Sequence, residues 1–145
     1  MMAAFKRILV AVDGSENSAR AVEMVKSLSG DADLHVTLIH VVQPIYQAVG
    51  AYGYVNFSSL LELQEETGRT ILSDAKALLD DANVAVDERL VVGNRGEEIC
   101  NVAKAGNYDL IVIGRRGVSR LEEVVLGSVS SYVVHHSDLP VLIVQ

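Results

Sequence analysis

A single cysteine, Cys100, leaves the chain without an internal disulfide, so its fold must be held by packing alone. One lone cysteine suits a reducing cytosol, and a cytoplasmic location is the expectation. Basic residues are in the minority: 12 Lys and Arg against 19 Asp and Glu give a net charge of -7. That balance lacks the basic face of non-specific nucleic-acid binding, so no nucleic-acid partner is expected. The longest apolar runs fall far short of the roughly 18 residues a membrane span needs, which excludes membrane insertion as an expectation. The start, Met1 to Arg7, has a basic pair but runs straight into a strand-like segment and does not read as a signal peptide. A phosphate ligand is not excluded by acidity, because anion sites are often made from backbone N–H groups and local arginines.

What remains is the material of one packed domain over residues 1–145. Half of the residues are apolar and 21% are charged, which is not the composition of a disordered tail. A chain of this length buries roughly 68–70% of its unfolded surface and needs no staples. Ile8-Leu9-Val10-Ala11-Val12 is a continuous apolar run closed by Asp13-Gly14, as expected for a strand covered on both faces. Ser15 is the expected cap of a first helix striped by Val22, Val25 and Leu28 and ended by Ser29-Gly30-Asp31. His35 to Val42 predicts a second strand, stopped by Pro44. The stretch from Gln43 to Phe57, with Tyr46, Tyr52 and Tyr54, is long for a compact domain and reads either as a functional lid or as a disordered or partner-facing loop. A long helix is expected from about Ser58, with Ile71, Leu72, Ala75, Leu78, Leu79 and Ala82 on its apolar face. Val84 to Val92, Gly96 to Ala105, Leu110 to Ile113, Gly127 to His136 and Val141 to Val144 then predict strand, helix, strand, helix, strand.

The alternation of strand and helix, with no repeat and no linker, predicts an α/β fold. It is a single doubly wound domain with a five-stranded parallel sheet, order 3-2-1-4-5, and helices on both faces. In such a sheet a ligand sits outside the carboxyl ends of the strands, where the winding reverses between strands 1 and 4. Asp13-Gly14 and Gly114-Arg115 are therefore expected to meet. Gly114 and Gly117 let the backbone turn and approach a ligand closely. Gly127-Ser128 opens the last helix, whose free amides and dipole favour negative charge. The Ser128 and Ser130 hydroxyls add donors, each bond to a charged oxygen contributing about 1.5–3 kcal/mol. A few such bonds, added to burial of a ligand's apolar part, are consistent with micromolar binding, about -8 kcal/mol.

The spacing Gly114-x2-Gly117-x9-Gly127-Ser128 resembles the ATP-binding signature of the universal stress protein family. The opening Ile8-Leu9-Val10-Ala11-Val12-Asp13-Gly14-Ser15, the segment Ile39-His40-Val41-Val42 and the ending Leu139-Pro140-Val141-Leu142-Ile143-Val144 are similar to that family too, so the likeness covers essentially the whole chain. The resemblance implies that Ala11, Val12 and Asp13 line an adenosine pocket, Asp13 holding ribose hydroxyls or a phosphate-bound metal. It implies that Val41 contacts adenine, and that Ile113, Gly114, Arg115 and Gly117 wrap the ribose and phosphates. Gly127, Ser128, Val129 and Ser130 would cradle the phosphate tail. The implied ligand is ATP, or AMP or ADP, with Mg2+ or Mn2+ bound through the phosphates. Members without the glycine signature generally do not hold ATP, and this chain keeps it. The resemblance also implies a homodimer through antiparallel pairing of Val141 to Val144, an uncharged apolar strand at a sheet edge. Arg95 departs from the family, which often has a proline there. That departure is expected to touch a loop, not the motif.

Other readings are weaker. A phosphorelay receiver needs an acidic cluster after strand 1 and an aspartate after strand 3, where this chain has Asp13 alone and Val92-Gly93. A dinucleotide-binding fingerprint is absent after strand 1, and there is no Walker lysine. Asp13 with Arg115 or Arg116 allows slow ATP hydrolysis, but no base is evidently poised, and no catalytic residue is assigned. A third class is an interaction protein in which nucleotide is only structural, its regulatory partner unknown. His135 and His136 point to different sides of a helix and do not make a metal pair, so no protein-built metal site is expected. His40 is read as a packed histidine near the pocket. Cys100 is read as a small buried hydrophobe, and Glu122-Glu123 as a solvated face.

Overall fold

The computed structural model describes residues 5–30, 33–45, 57–115 and 127–145. Among the described residues five strands and four helices alternate: β1 (Arg7–Ala11), α1 (Glu16–Ser29), β2 (Leu34–Val42), α2 (Phe57–Ala77), β3 (Val84–Val92), α3 (Arg95–Ala105), β4 (Leu110–Gly114), α4 (Ser128–His136) and β5 (Val141–Val144). These strands pair in parallel, in the order β3-β2-β1-β4-β5. This is the doubly wound sheet that the apolar runs predict.

Side chains alternate across a strand, so each central strand feeds two cores. Ile8 and Val10 of β1, Val36 and Leu38 of β2 and Leu110 and Val112 of β4 meet Val22 and Val25 of α1, Leu72 of α2 and Leu79 just after that helix. Leu9, Ile39, Val41, Ile111 and Ile113 take the other face, against Ile99 and Val102 of α3 and Val133 of α4. Ile8, Leu9 and Val10 are fully buried, which explains why β1 is written as an unbroken apolar run. β3, with Asp87, Glu88 and Arg89 exposed, is the polar edge, while at the opposite edge Val141, Leu142 and Ile143 of β5 are half-buried.

Local chemistry sets the ends. Ser15 caps α1, its hydroxyl accepting from the Ser18 amide at 3.1 Å. Asn94 caps α3 by accepting from the Glu97 amide at 3.1 Å, so this helix begins at Arg95, one residue before its expected start. The apolar stripe expected to run to Ala82 outlasts its helix. After Ala77 the bonds tighten, the Leu78 amide to Ala75 and the Leu79 amide to Lys76, and Leu79 still reaches the core from that turn. At the amino end of the sheet the Asp109 carboxylate accepts from the amides of Lys6 and Arg7 at 2.9 Å each, and these bonds hold it below the usual carboxylate range. Within the second core the Tyr108 hydroxyl donates to Thr37 Oγ1 at 3.0 Å, satisfying two buried polar groups. Among the described residues no helix is long and apolar enough to cross a membrane.

Candidate functional site

The crossovers place the carboxyl ends of β1, β2 and β4 at one edge, with the amino ends of α1, α3 and α4 over them. A cleft opens there, at the reversal between β1 and β4. Its strand side is made by Ala11, Val12 and Asp13 after β1, by Ile39, His40 and Val41 of β2, and by Ile113 and Gly114 of β4. Its helix side is made by Ser15 and Ser18, by Arg95 and Ile99 of α3, and by Val129 and Ser130 of α4. The wall is largely aliphatic, from Val12, Ile39, Val41, Ile99, Ile113 and Val129, with a few polar groups at its margin.

The turn after β1 is tied down from within. Ser18 Oγ donates to the Ser15 carbonyl at 3.0 Å and accepts from the Asp13 amide at 3.3 Å, while Asp13 Oδ1 accepts from the Ser15 amide at 2.9 Å. Gly14 sits between them at φ +85°, a conformation that disfavours a side chain. His40 closes the neighbouring wall. Its Nδ1 lies 2.8 Å from the Val12 carbonyl oxygen, which can only accept, so the proton is on Nδ1. Its ring packs under Gly68, where a Cβ would stand 2.7 Å from His40 Cδ2. The packed histidine of the sequence reading is thus also part of the cleft wall.

At the β4 end, the backbone itself comes close. A Cβ on Gly114 would lie 2.5 Å from the Asn17 carbonyl oxygen and 2.9 Å from the Ser18 amide nitrogen, so the glycine is needed by the packing of β4 against α1. Asn17 donates to the Arg115 carbonyl, and the Arg115 amide donates to the Val144 carbonyl at 2.6 Å. Ser130, 1% exposed, donates to the Gly114 carbonyl at 3.3 Å and ties α4 to the strand end. Gly127 is the N-cap of α4 and has no side chain to accept from the first-turn amides.

The structure therefore gathers Ala11, Val12, Asp13, Val41, Ile113, Gly114, Val129 and Ser130 into one cleft. Arg115, Gly127 and Ser128 stand next to it without lining it, and Ser128 is exposed. Gly117, Arg116, Glu122, Glu123 and the tyrosines 46, 52 and 54 lie outside the described residues. Sequence reasoning did not assign Ser15, Ser18, Ile39, Arg95 or Ile99 to the site. Ile39 was legible, since it shares a strand face with Val41, and Ser18 lies one turn from the cap. Arg95 is a correction: it is not a loop position beside the motif but the first residue of α3, on the cleft wall.

The remaining tempting residues have local partners. His135 Nδ1 lies 2.7 Å from the Ser131 carbonyl oxygen and His136 Nδ1 2.9 Å from that of Tyr132. Among the described residues no group of three His, Cys, Asp or Glu is placed to hold a metal. Cys100 is half-buried against the second core, and burial, then Asp138, pushes its thiol up, away from nucleophilic thiolate.

Against known proteins, the model of the universal stress protein family matches residues 4–145. Universal stress protein YxiE of Bacillus subtilis is 34% identical over 147 residues, covering 97% of this chain and 99% of its own. Universal stress protein MJ0577 of Methanocaldococcus jannaschii is 30% identical over 159 residues, covering 100% of this chain and 98% of its own. The solved structure of MJ0577 has a TM-score of 0.84 over 98% of this chain and 96% of that one. A universal stress protein solved in complex with cAMP has a TM-score of 0.74 at 25% identity, over 99% of each chain.

Proposed function

The chain belongs to the universal stress protein family, and from that premise we propose that the cleft binds ATP, or the close adenine nucleotides AMP and ADP. In this reading the protein is a nucleotide-dependent sensor and regulator in the stress response, cytoplasmic, and not primarily an enzyme. The observation that carries it is the convergence of three strand ends and the α4 amino end on one aliphatic cleft at the point of topological reversal. The neighbour solved with cAMP supports the adenine chemistry.

The aliphatic wall from Val41, Ile39 and Ile99 takes the base. Asp13 stands where ribose hydroxyls need an acceptor, and the uncapped amides of α4 offer the phosphate tail charge-assisted bonds, each contributing about 1.5–3 kcal/mol. Gly127, Ser128, Val129 and Ser130 supply that end, with Gly114 and Arg115 beside it and Gly117 in the same glycine spacing. Asp13 is the only carboxylate among the described lining residues, so a divalent ion fits here as a partner of the phosphates, not as the occupant of a protein cage. Mg2+ or Mn2+ would neutralise phosphate charge, with Asp13 as its protein neighbour.

Calorimetry with ATP tests the proposal. A dissociation constant in the micromolar range, about -8 kcal/mol, is expected. No binding by protein whose far-UV dichroism shows an intact fold would end it. We also propose that β5 pairs with the β5 of a second copy. Its outer edge pairs with no other strand among the described residues, and its uncharged, apolar Val141, Leu142 and Ile143 are only half-buried.

A further inference from the structure

We propose that Arg95 covers the base of the bound nucleotide and sets the cleft's preference for purines. The proposal rests on the adenine-nucleotide reading of the cleft. Arg95 and Ile99 lie four residues apart on α3, so they share one helix face and stack one turn above the other along the cleft. Ile99 is 3% exposed and forms the inner wall with Val41. Arg95, half-buried, lines the same cleft one turn nearer the helix start. Its place is fixed through the backbone, the Arg95 amide donating to Gln43 Oε1 at 3.4 Å and Asn94 capping the same turn.

Among the described residues no carboxylate, carbonyl or hydroxyl accepts from the Arg95 guanidinium. A planar cation with five donors, half-buried beside an aliphatic wall and with no acceptor among the described residues, is suited to lie over an aromatic ring. Arg95 borders the β2 side of the cleft, whereas the uncapped amides of α4 border the β4 side. A nucleotide that directs its phosphates to α4 brings its base under Arg95. A purine offers the guanidinium more ring area than a pyrimidine, so stacking there discriminates by ring size without reading a base edge.

The test compares wild type, R95A and R95K by calorimetry with ATP, CTP and inorganic tripolyphosphate, with dichroism on each variant. For wild type, ATP is expected to bind more tightly than CTP. R95A should weaken ATP about 3- to 20-fold, leave tripolyphosphate nearly unchanged and narrow the gap between ATP and CTP. R95K keeps the charge and loses the plane, and should recover little of the loss. Should R95A fail to fold, R95K alone carries the comparison. Three results overturn the proposal: R95K binding ATP as wild type does, an equal loss for ATP and tripolyphosphate, or unchanged affinity in R95A. Wild type that binds ATP while the variants show one of those results refutes the role of Arg95 alone. Wild type that binds no nucleotide refutes the function of the cleft, and this proposal with it.

Discussion

Gly114 is the position at which a single added methyl group should be felt most. An alanine there places its Cβ 2.5 Å from the Asn17 carbonyl oxygen, 2.6 Å from the Asn17 carbonyl carbon and 2.9 Å from the Ser18 amide nitrogen. The shortest contact is about 1 Å inside an ordinary non-bonded separation of roughly 3.5 Å. All three atoms are backbone in the first turn of α1, so no side chain can swing away. The helix start must move off β4, straining the Asn17 bond to Arg115 and the Ser18 bonds that hold the turn after β1. Overpacking of this kind costs about 1–3 kcal/mol. In urea denaturation G114A should lose that amount with an unchanged slope, and its midpoint of thermal unfolding should fall by several degrees. Because the displaced turn carries Asp13 and Ser15, ATP affinity should fall as well. A variant within about 0.5 kcal/mol of wild type would refute the reasoning, since only a backbone already separated from α1 tolerates the methyl so well.

Three further outcomes are expected. T37V strands the Tyr108 hydroxyl in the second core and should cost about 1–3 kcal/mol in urea denaturation, part of it recovered in the double variant with Y108F. Asp109 titrates below its unfolded value, so its contribution is present above the ordinary carboxylate range near about pH 4 and is lost as pH falls through the depressed folded value. D109N should therefore be less stable than wild type at neutral pH, with the difference closing in acid, as read from urea midpoints across pH. V141D puts a charge on the free edge of the sheet and should shift the proposed dimer to monomer in light scattering coupled to gel filtration, whereas an unchanged dimer mass would count against β5 as the interface.

Much of this architecture could be read from composition and spacing, for a physical reason. Strands covered on both faces must be apolar at successive positions, and β1 and β4 announce themselves that way. Parallel order and right-handed crossovers then leave little freedom, so the meeting of Asp13 with Gly114 followed from topology alone. What escaped were contributions decided by a helix's rotation and starting residue. Arg95 enters the cleft because Asn94 caps α3 one residue earlier than expected, and Ile99 follows it on the same face. Gly114 was read as room for a ligand, whereas its absent side chain is required by α1. That distinction concerns distances between elements, which spacing along the chain does not encode.

The knotted turn of Asp13, Gly14 and Ser15 has a kinetic consequence. Its bonds run only between residues of the chain, through Asp13, Ser15 and Ser18, and Gly14 supplies the left-handed bend, so this wall draws its shape from the fold itself and should contribute no ordering step to association. Arrival at this side of the cleft should then be limited by encounter, and differences among related ligands should be written in how long each one stays.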